Sequence, residues 1–386
     1  MTPVRLLHTS DWHVGRAIRG RSRADEHRAV LAEIAAVAER DAVHLVVVAG
    51  DLFDTAAPSA ESEQIVYRAL LDLAAGGRPV VAVAGNHDSA QRLGAVAQLA
   101  GVSGIRLVSA ISRDGVVEVE AGGEVARLAL LPFPSQRYVV TADRLMSGDA
   151  ADAHADYADR VVRILRSLTD GFGAGTVNVI VAHLMVMGGT MGGGERGAHT
   201  IFDYWVPAAA FPSSAAYAAL GHLHRAQHLP GPAPLHYCGS PLQLDFGETA
   251  NDPVVNVVDV APGRPAVVRP VALTAGRRLR TLRGTLAQVL DAPPTDAHLR
   301  VVLDEPARAG LADEVRQQMP GVVEVVLAPR DGVTADRRPD PDRLRRSPHD
   351  LFAEYLGEAG VDDDRVVALF DEIVDDLASD TAAEPA

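Results

Sequence analysis

The chain has no lysine, a single cysteine, and aromatic side chains at only 4% of its 386 positions. One thiol cannot close an intrachain disulfide, and without paired cysteines a thiolate-built structural zinc site is excluded. Cys238 lies away from the histidine-rich blocks described below and reads as a small core residue. No run of 18 uninterrupted apolar residues occurs, and the N-terminus lacks a charged stretch followed by an apolar one. The sequence therefore predicts a soluble cytoplasmic protein with no membrane attachment. Every basic side chain is arginine, alongside abundant alanine, valine and glycine, which reads as a compositional bias of the genome.

Positive charge is also in short supply, with a net charge of −15 that argues at first sight against a polyanionic substrate. Its location removes the objection. From Asp350 onward there are 12 Asp/Glu and one Arg, a net −11, so the preceding 349 residues carry only −4. Acidic metal ligands are further neutralised by the cations they hold, so a phosphate substrate stays open.

What the chain does contain is five short polar blocks, each at the end of an apolar, strand-like run. They are Ser10-Asp11-Trp12-His13, Gly50-Asp51-Leu52-Phe53-Asp54, Gly85-Asn86-His87-Asp88, Ala182-His183 and Gly221-His222-Leu223-His224. The preceding runs are Val4 to Leu7, His44 to Ala49, Pro79 to Ala84, Val177 to Val181 and Ala215 to Leu220. Carboxylate and amide oxygens mixed with imidazole nitrogens suit Mn²⁺, Fe²⁺, Zn²⁺ or Mg²⁺. Two such cations sharing a carboxylate, for which Asp51 is the candidate, can activate a water and hold a phosphoryl group. Asp11 and His13 are two apart on what reads as an extended segment, so both project to one side, and His222 and His224 repeat the spacing. Adjacent residues rarely bind one ion together. His87, one step beyond Asn86, is therefore placed to act on substrate as a general acid or transition-state stabiliser. Asp88 can orient His87, while Asp54 supports the ligands or caps a turn. A lone histidine at a strand end is usually an ordinary core residue, and Gly-Asp and Gly-Asn are ordinary turn pairs. It is the set of five that points to chemistry. The remaining histidines, including His8, His27, His44, His154 and His199, read as structural or surface residues.

Strand and helix patterns alternate in the first part of the chain. Arg23 to Arg40 repeats Val30, Ile34 and Val37 at helical spacing, and Ser59 caps a second helix through Leu73. Ile105 to Leu131 reads as a meander or hairpins, Asp152 to Leu168 as a helix, and Ala215 to Leu273 as mostly strand. This order predicts an α/β fold in which two mixed sheets pack face to face and are flanked by helices. Residues 1–273 form this body. Residues 274–328 read as a small α/β module, 329–346 as an Arg/Asp/Pro-rich linker, and 347–378 as two helices that expose an apolar stripe.

Asp-x-His, Gly-Asp-x-x-Asp, Gly-Asn-His-Asp, the isolated His183 and Gly-His-x-His together resemble the signature of the calcineurin-like metallophosphoesterases. More narrowly, His8 to His13, Gly50 to Thr55, Ala182-His183-Leu184, Arg21 to His27 and Gly239 to Glu248 are similar to the SbcD family of nuclease subunits. The likeness is strong over roughly residues 4 to 250. It implies the sandwich fold with a small capping domain and C-terminal helices, and two metal ions, most often Mn²⁺. One would be held by Asp11, His13, Asp51 and His224, the other by Asp51, Asn86, His183 and His222, with His87 catalytic. It also implies 3′→5′ exonuclease action on double-stranded DNA and endonuclease action on single strands and hairpins. The implied partner is an SbcC-type coiled-coil ATPase, docked on the C-terminal helices, with the nuclease a homodimer within a heterotetramer. The same metals would equally serve a phosphoesterase acting on small nucleotides or phosphoproteins, and a non-catalytic DNA-end-binding scaffold is a further alternative.

Two other segments bear on function. Arg16, Arg19, Arg21, Arg23 and Arg28 crowd the stretch after the first ligand pair and are candidates to grip DNA phosphates. Gly188 to Gly197 lacks the Gly-Lys-Ser/Thr ending of a P-loop and reads as a mobile loop beside His183.

Overall fold

In a computed structural model, residues 3–113, 115–135, 139, 157–195 and 204–328 are described, with Phe352, Leu356, Val366 and Phe370. Residues 1–327 form one unit and 328–386 a second. The apolar runs that precede the polar blocks become strands. These are β1 (Val4–Thr9), β2 (Leu45–Ala49), β3 (Val80–Val83) and β4 (Ile105–Val108), then the hairpin β5 (Val116–Ala121) and β6 (Glu124–Leu131). There follow β7 (Val177–His183), the two-residue pair β8 (Met185–Val186) and β9 (Trp205–Val206), and β10 (Tyr217–Gly221). Next come β11 (Gln227–Leu229), β12 (Leu235–Tyr237), β13 (Val254–Ala261) and β14 (Arg264–Ala272). The stretch Ile105 to Leu131 does not stay together as one meander: β4 joins one large sheet and the β5–β6 hairpin the other.

The first sheet has the order β14-β13-β1-β2-β3-β4 and the second β11-β12-β10-β7-β6-β5. β1 to β4 run parallel, as do β6, β7, β10 and β12, while β13, β14, β5 and β11 pair antiparallel. Alternation along the parallel strands gives each sheet two apolar faces. Leu6, Leu45, Val47 and Val83 meet Leu128, Leu130, Val179 and Tyr217 between the sheets. Leu7, Val46, Val48 and Val80 face the helices Ala24–Arg40 and Ala60–Leu73. Ile180, Ala182 and Leu220 face the helix Tyr157–Thr169, whose Val161, Ile164 and Leu165 are fully buried. The result is the mixed two-sheet sandwich flanked by helices that the sequence predicts. Each buried Val or Leu contributes about 1.5–3 kcal/mol of transfer free energy. The apolar layers therefore hold the fold, and the strand ends are left to carry polar residues.

Ser59 caps its helix as expected, its Oγ accepting from Ser62 N at 3.2 Å. A further helix, Ala90–Gly101, goes beyond the sequence expectation: its sequence shows no strong apolar stripe, and only Leu93 is fully buried on it. β15 (Leu279–Gly284), β16 (His298–Leu303) and β17 (Val322–Leu327) form a separate parallel sheet with its own cluster of Leu299, Val301, Leu311 and Val315. In the second unit, Phe352, Leu356, Val366 and Phe370 are helical, and the Phe352 and Phe370 rings stack at 4.0 Å. The linker 329–346, most of 347–378, and His154 and His199 lie outside the described residues.

Candidate active site

Adjacent parallel strands bring the five blocks to one edge. β1, β2 and β3 are neighbours in one sheet, β7 and β10 in the other, and all five deliver their polar residues at the carboxyl end. Beyond the strands, the loops after β1 and β2 go on pairing. Asp11 N donates to Gly50 O, His13 N to Asp51 O and Val14 N to Leu52 O, each at 3.0 Å.

The extended geometry expected for Asp11–His13 and His222–His224 is not found. Asp11 (φ 52°), His13 (φ 45°), Asp51 (φ 51°) and His222 (φ 101°) have positive φ, four of the six described non-glycine residues that do. Such a conformation costs roughly 1–3 kcal/mol per residue and persists only where surrounding structure enforces it. Its consequence is that a pair two residues apart need not face one point. Asp11, His13 and His224 come together with ligand atoms within 4.8 Å of one another, and Asp51, His183 and His222 form a second such group. His222 and His224 are thus divided between two positions.

Asp51 stands between them. Its Oδ2 lies 3.5 Å from His13 Nε2 and 3.3 Å from His183 Nε2, and its Oδ1 accepts from His87 N at 2.8 Å. Gly85 is required beside it, since a Cβ there would strike the Asp51 carboxylate. Asn86 Oδ1 sits 2.9 Å from His183 Nε2 and 2.7 Å from His222 Nδ1. On the other side, His13 Nε2 and His224 Nε2 face each other at 3.1 Å. The His87 ring stands at 90° to that of His13, 4.6 Å away, with its Nδ1 donating to Asp54 O at 2.8 Å. A third group, His13, Asp54 and His87, also has ligand atoms within 4.8 Å.

Asp88 does not orient His87. Its carboxylate accepts from Leu52 N, Phe53 N and Gly85 N at 2.9–3.2 Å and so fastens the second block to the third. Burial, with Asp51 adding to it, pushes this carboxyl up to about 7. Asp54 Oδ1 lies 3.7 Å from His13 Nδ1 and 3.3 Å from Arg16 Nη1, which makes it a support for His13.

The electrostatics of the cluster follow from burial and from the close pairing of carboxylates with imidazoles. Burial pulls His183 down, but Asp51 and Asp11 outweigh it and push the ring up to about 9. Burial opposes Glu248 at His224 in the same way, with the same outcome of about 9. His13 goes the other way, lowered by burial to about 4 against the pull of Asp54 and Asp51. Burial alone would raise Asp51, yet His183, His13 and His87 hold it well below the carboxylate range. Buried carboxylates are drawing positive charge onto nearby histidines, and a divalent cation supplies that charge without a proton. The donor set of carboxylate, amide and imidazole fits divalent cations.

The calcineurin-like phosphoesterase pattern matches residues 4–169. The SbcD subunit of the SbcCD nuclease of Bacillus subtilis is 35% identical over 281 residues, covering 72% of this chain and 71% of its own. That of Rhodobacter capsulatus is 35% identical over 274 residues, with 67% of each chain covered. The chain belongs to this family of calcineurin-like phosphoesterases. The corresponding Escherichia coli K12 protein is 29% identical over 299 residues, 74% of this chain and 72% of its own. Membership makes the chain a hydrolase of the metallophosphoesterase type, and the family implies divalent metals at the clusters just described.

The arginine segment divides. Arg23 is 1% exposed and bonds to Glu26, Gln243 O and Arg277 O, so it is an internal strut and cannot meet DNA. Arg19 pairs with Glu324 at 2.9 Å and Arg21 reaches Pro320 O at 3.5 Å, which turns both toward the three-stranded unit. Arg28 pairs on the surface with Asp25 and Glu61.

Two carboxylates at the site escaped sequence reasoning. Glu248 is 1% exposed and its Oε1 accepts from His224 Nδ1 at 2.7 Å. Glu195 Oε1 accepts from His224 N at 3.0 Å, and its carboxylate also takes Gly192 N and Gly193 N. The described part of the glycine segment is therefore packed beside His224, not loose beside His183. No local signal singled them out: Glu195 follows three glycines, and Glu248 shares its segment with a second acid, Asp245.

Proposed function

We propose that the chain is the nuclease subunit of an SbcCD-type complex, a Mn²⁺-dependent phosphodiesterase that acts on DNA ends and hairpins. In this reading it is a 3′→5′ exonuclease on double strands and an endonuclease on single strands and hairpins, serving double-strand-break processing and recombination. Its partner is an SbcC-type coiled-coil ATPase and it works as a homodimer within a heterotetramer. The observation that carries the reading is Asp51, a buried carboxylate with one oxygen 3.5 Å from His13 and 3.3 Å from His183, the members of two separate ligand groups.

Asp11, His13, Asp51 and His224 would hold one cation, and Asp51, Asn86, His183 and His222 the other. Bound cations supply the charge that makes a water nucleophilic at neutral pH and neutralises the phosphate. The protein's share is geometric and protonic. Strand ends fix the ligands before substrate arrives, and His87, anchored through Nδ1 to Asp54 O, donates a proton from Nε2 to the departing 3′ oxygen. Arg16, Arg19 and Arg21 remain candidates to hold the backbone phosphates. Residues 1–273 form the nuclease domain, 274–328 the capping domain, 329–346 the linker and 347–378 the partner-binding helices of a cytoplasmic protein. No helix among the described residues is long and apolar enough to cross a membrane.

The test is cleavage of hairpin DNA, blunt duplex and a small chromogenic phosphodiester, with and without Mn²⁺, ATPase partner and ATP. Mn²⁺-dependent cutting of DNA in preference to the small ester is expected. Turnover of the small ester alone would move the activity to nucleotides, and DNA-end binding with no cleavage of any substrate would leave a scaffold.

A further inference from the structure

We propose that Glu248 is a positioning residue for one of the two metal positions, that of Asp11, His13 and His224, and that it acts through the His224 ring. The inference rests on the two-cation reading above and adds an asymmetry to it. Glu248 accepts from His224 Nδ1 at 2.7 Å through Oε1 and from Leu244 N at 2.6 Å through Oε2, so the carboxylate is itself held by backbone. A ring that donates from Nδ1 carries its lone pair on Nε2, the atom that faces His13 Nε2 at 3.1 Å. The carboxylate thus fixes the tautomer and makes the nitrogen a stronger donor.

The other position is built differently. His183 donates from Nδ1 to the neutral carbonyl of Ala49 at 2.8 Å. Removing the Glu248 charge should therefore weaken one position and spare the other. The Gly192–Glu195 strap closes over the same pair: Glu195 takes the His224 amide, and Asn251 Nδ2 donates to Gly192 O at 3.2 Å. Gly194 has no room for a side chain because a Cβ would run into the Glu248 carboxyl. A run of three glycines in the sequence thus has a physical reason in its approach to a buried carboxylate.

Mn²⁺ titration of the full chain, followed by electron paramagnetic resonance of free Mn²⁺, reads the two positions without any turnover. The wild-type protein should bind two ions. Glu248→Gln should lower affinity at one position roughly 10- to 100-fold and leave the other unchanged, as removal of a carboxylate behind a metal-binding histidine typically does. His224→Ala should lose that same position. Gly194→Ala, which displaces the carboxylate without removing it, should weaken the same position to a smaller degree and keeps the test open should Glu248→Gln misfold. In metal-free protein above about pH 9, where the His224 ring has given up its second proton, ¹⁵N spectra should show it protonated at Nδ1 in the wild type and a mixture of tautomers in Glu248→Gln. Equal loss at both positions, or none at either, overturns the role of Glu248 while two wild-type ions uphold the metal reading. A wild type that binds no Mn²⁺ overturns both.

Discussion

His183 and His224 approach the same cluster from two neighbouring strands, yet the first is braced by the Ala49 carbonyl at 2.8 Å and the second by the Glu248 carboxylate at 2.7 Å. Ala49 ends β2 in the opposite sheet, so the His183 side depends on how closely the two sheets pack. The His224 side depends on loops, with Glu195 on its amide and Glu248 on its ring. A brace of main chain survives any substitution that leaves the fold intact, whereas a brace of side chains can be removed one residue at a time. One half of the site is fixed by the sandwich, and the other is open to adjustment from the segment around residues 243–248.

Asp51, which both halves share, should give the largest effect. Asp51→Asn is expected to reduce DNA cleavage by more than about 10⁴-fold, beyond the loss of a single general acid, with circular dichroism unchanged; substantial surviving activity would mean that no carboxylate joins the halves. His87→Asn should come next, lowering kcat about 10²- to 10⁴-fold while Mn²⁺ titration still counts two ions. A missing ion would place His87 among the ligands, in the group it forms with His13 and Asp54.

Acidification should separate the halves more gently. Glu26 accepts from His298 Nε2 at 2.7 Å and from Arg23, and Arg23 in turn donates to Gln243 O, in the segment that leads to Glu248. Burial alone would raise the Glu26 carboxyl, but His298 and Arg23 hold it well below its ordinary value. A depressed folded pKa gives stability that is present above the ordinary carboxylate value and is lost as pH falls through the folded one. Glu26→Gln should therefore cost about 2 kcal/mol near neutrality and converge on wild type in strong acid. As pH drops, hydrogen exchange should accelerate at Leu244 and Leu279 before it does along β7. Simultaneous acceleration would show that the two halves open together. The smallest effect concerns DNA. Replacing Arg19 and Arg21 together with Ala should reduce the salt slope of DNA binding by up to about 0.9 for every phosphate that is no longer neutralised; an unchanged slope would leave both arginines as ties to the three-stranded unit.

Much of this was legible in the sequence because a strand end is a local event. Apolar runs such as Leu45 to Ala49 announce their strands, and the polar residue after each run must emerge at the sheet edge. The helix that Ser59 caps and the flanking layers follow from periodicity in the same way. What could not be read was anything decided by close packing of distant chain. The positive φ at Asp11, His13 and His222, in place of the extended geometry expected there, goes with long-range contacts such as His222 N to Asp11 Oδ1 at 3.0 Å. Arg23 looked like its neighbours in a basic segment, and only its burial against Gln243 and Arg277 sets it apart. Glu195 and Glu248 lie far along the chain from Asp11 and His13, and no local pattern distinguishes a buried acid from a solvated one.

Whether two cations share Asp51 can be seen by anomalous diffraction from crystals grown with Mn²⁺. Two peaks are expected roughly 3.5–4 Å apart, one among Asp11, His13 and His224, the other among Asn86, His183 and His222, both in contact with Asp51. A single peak, or one seated among His13, Asp54 and His87, would contradict it.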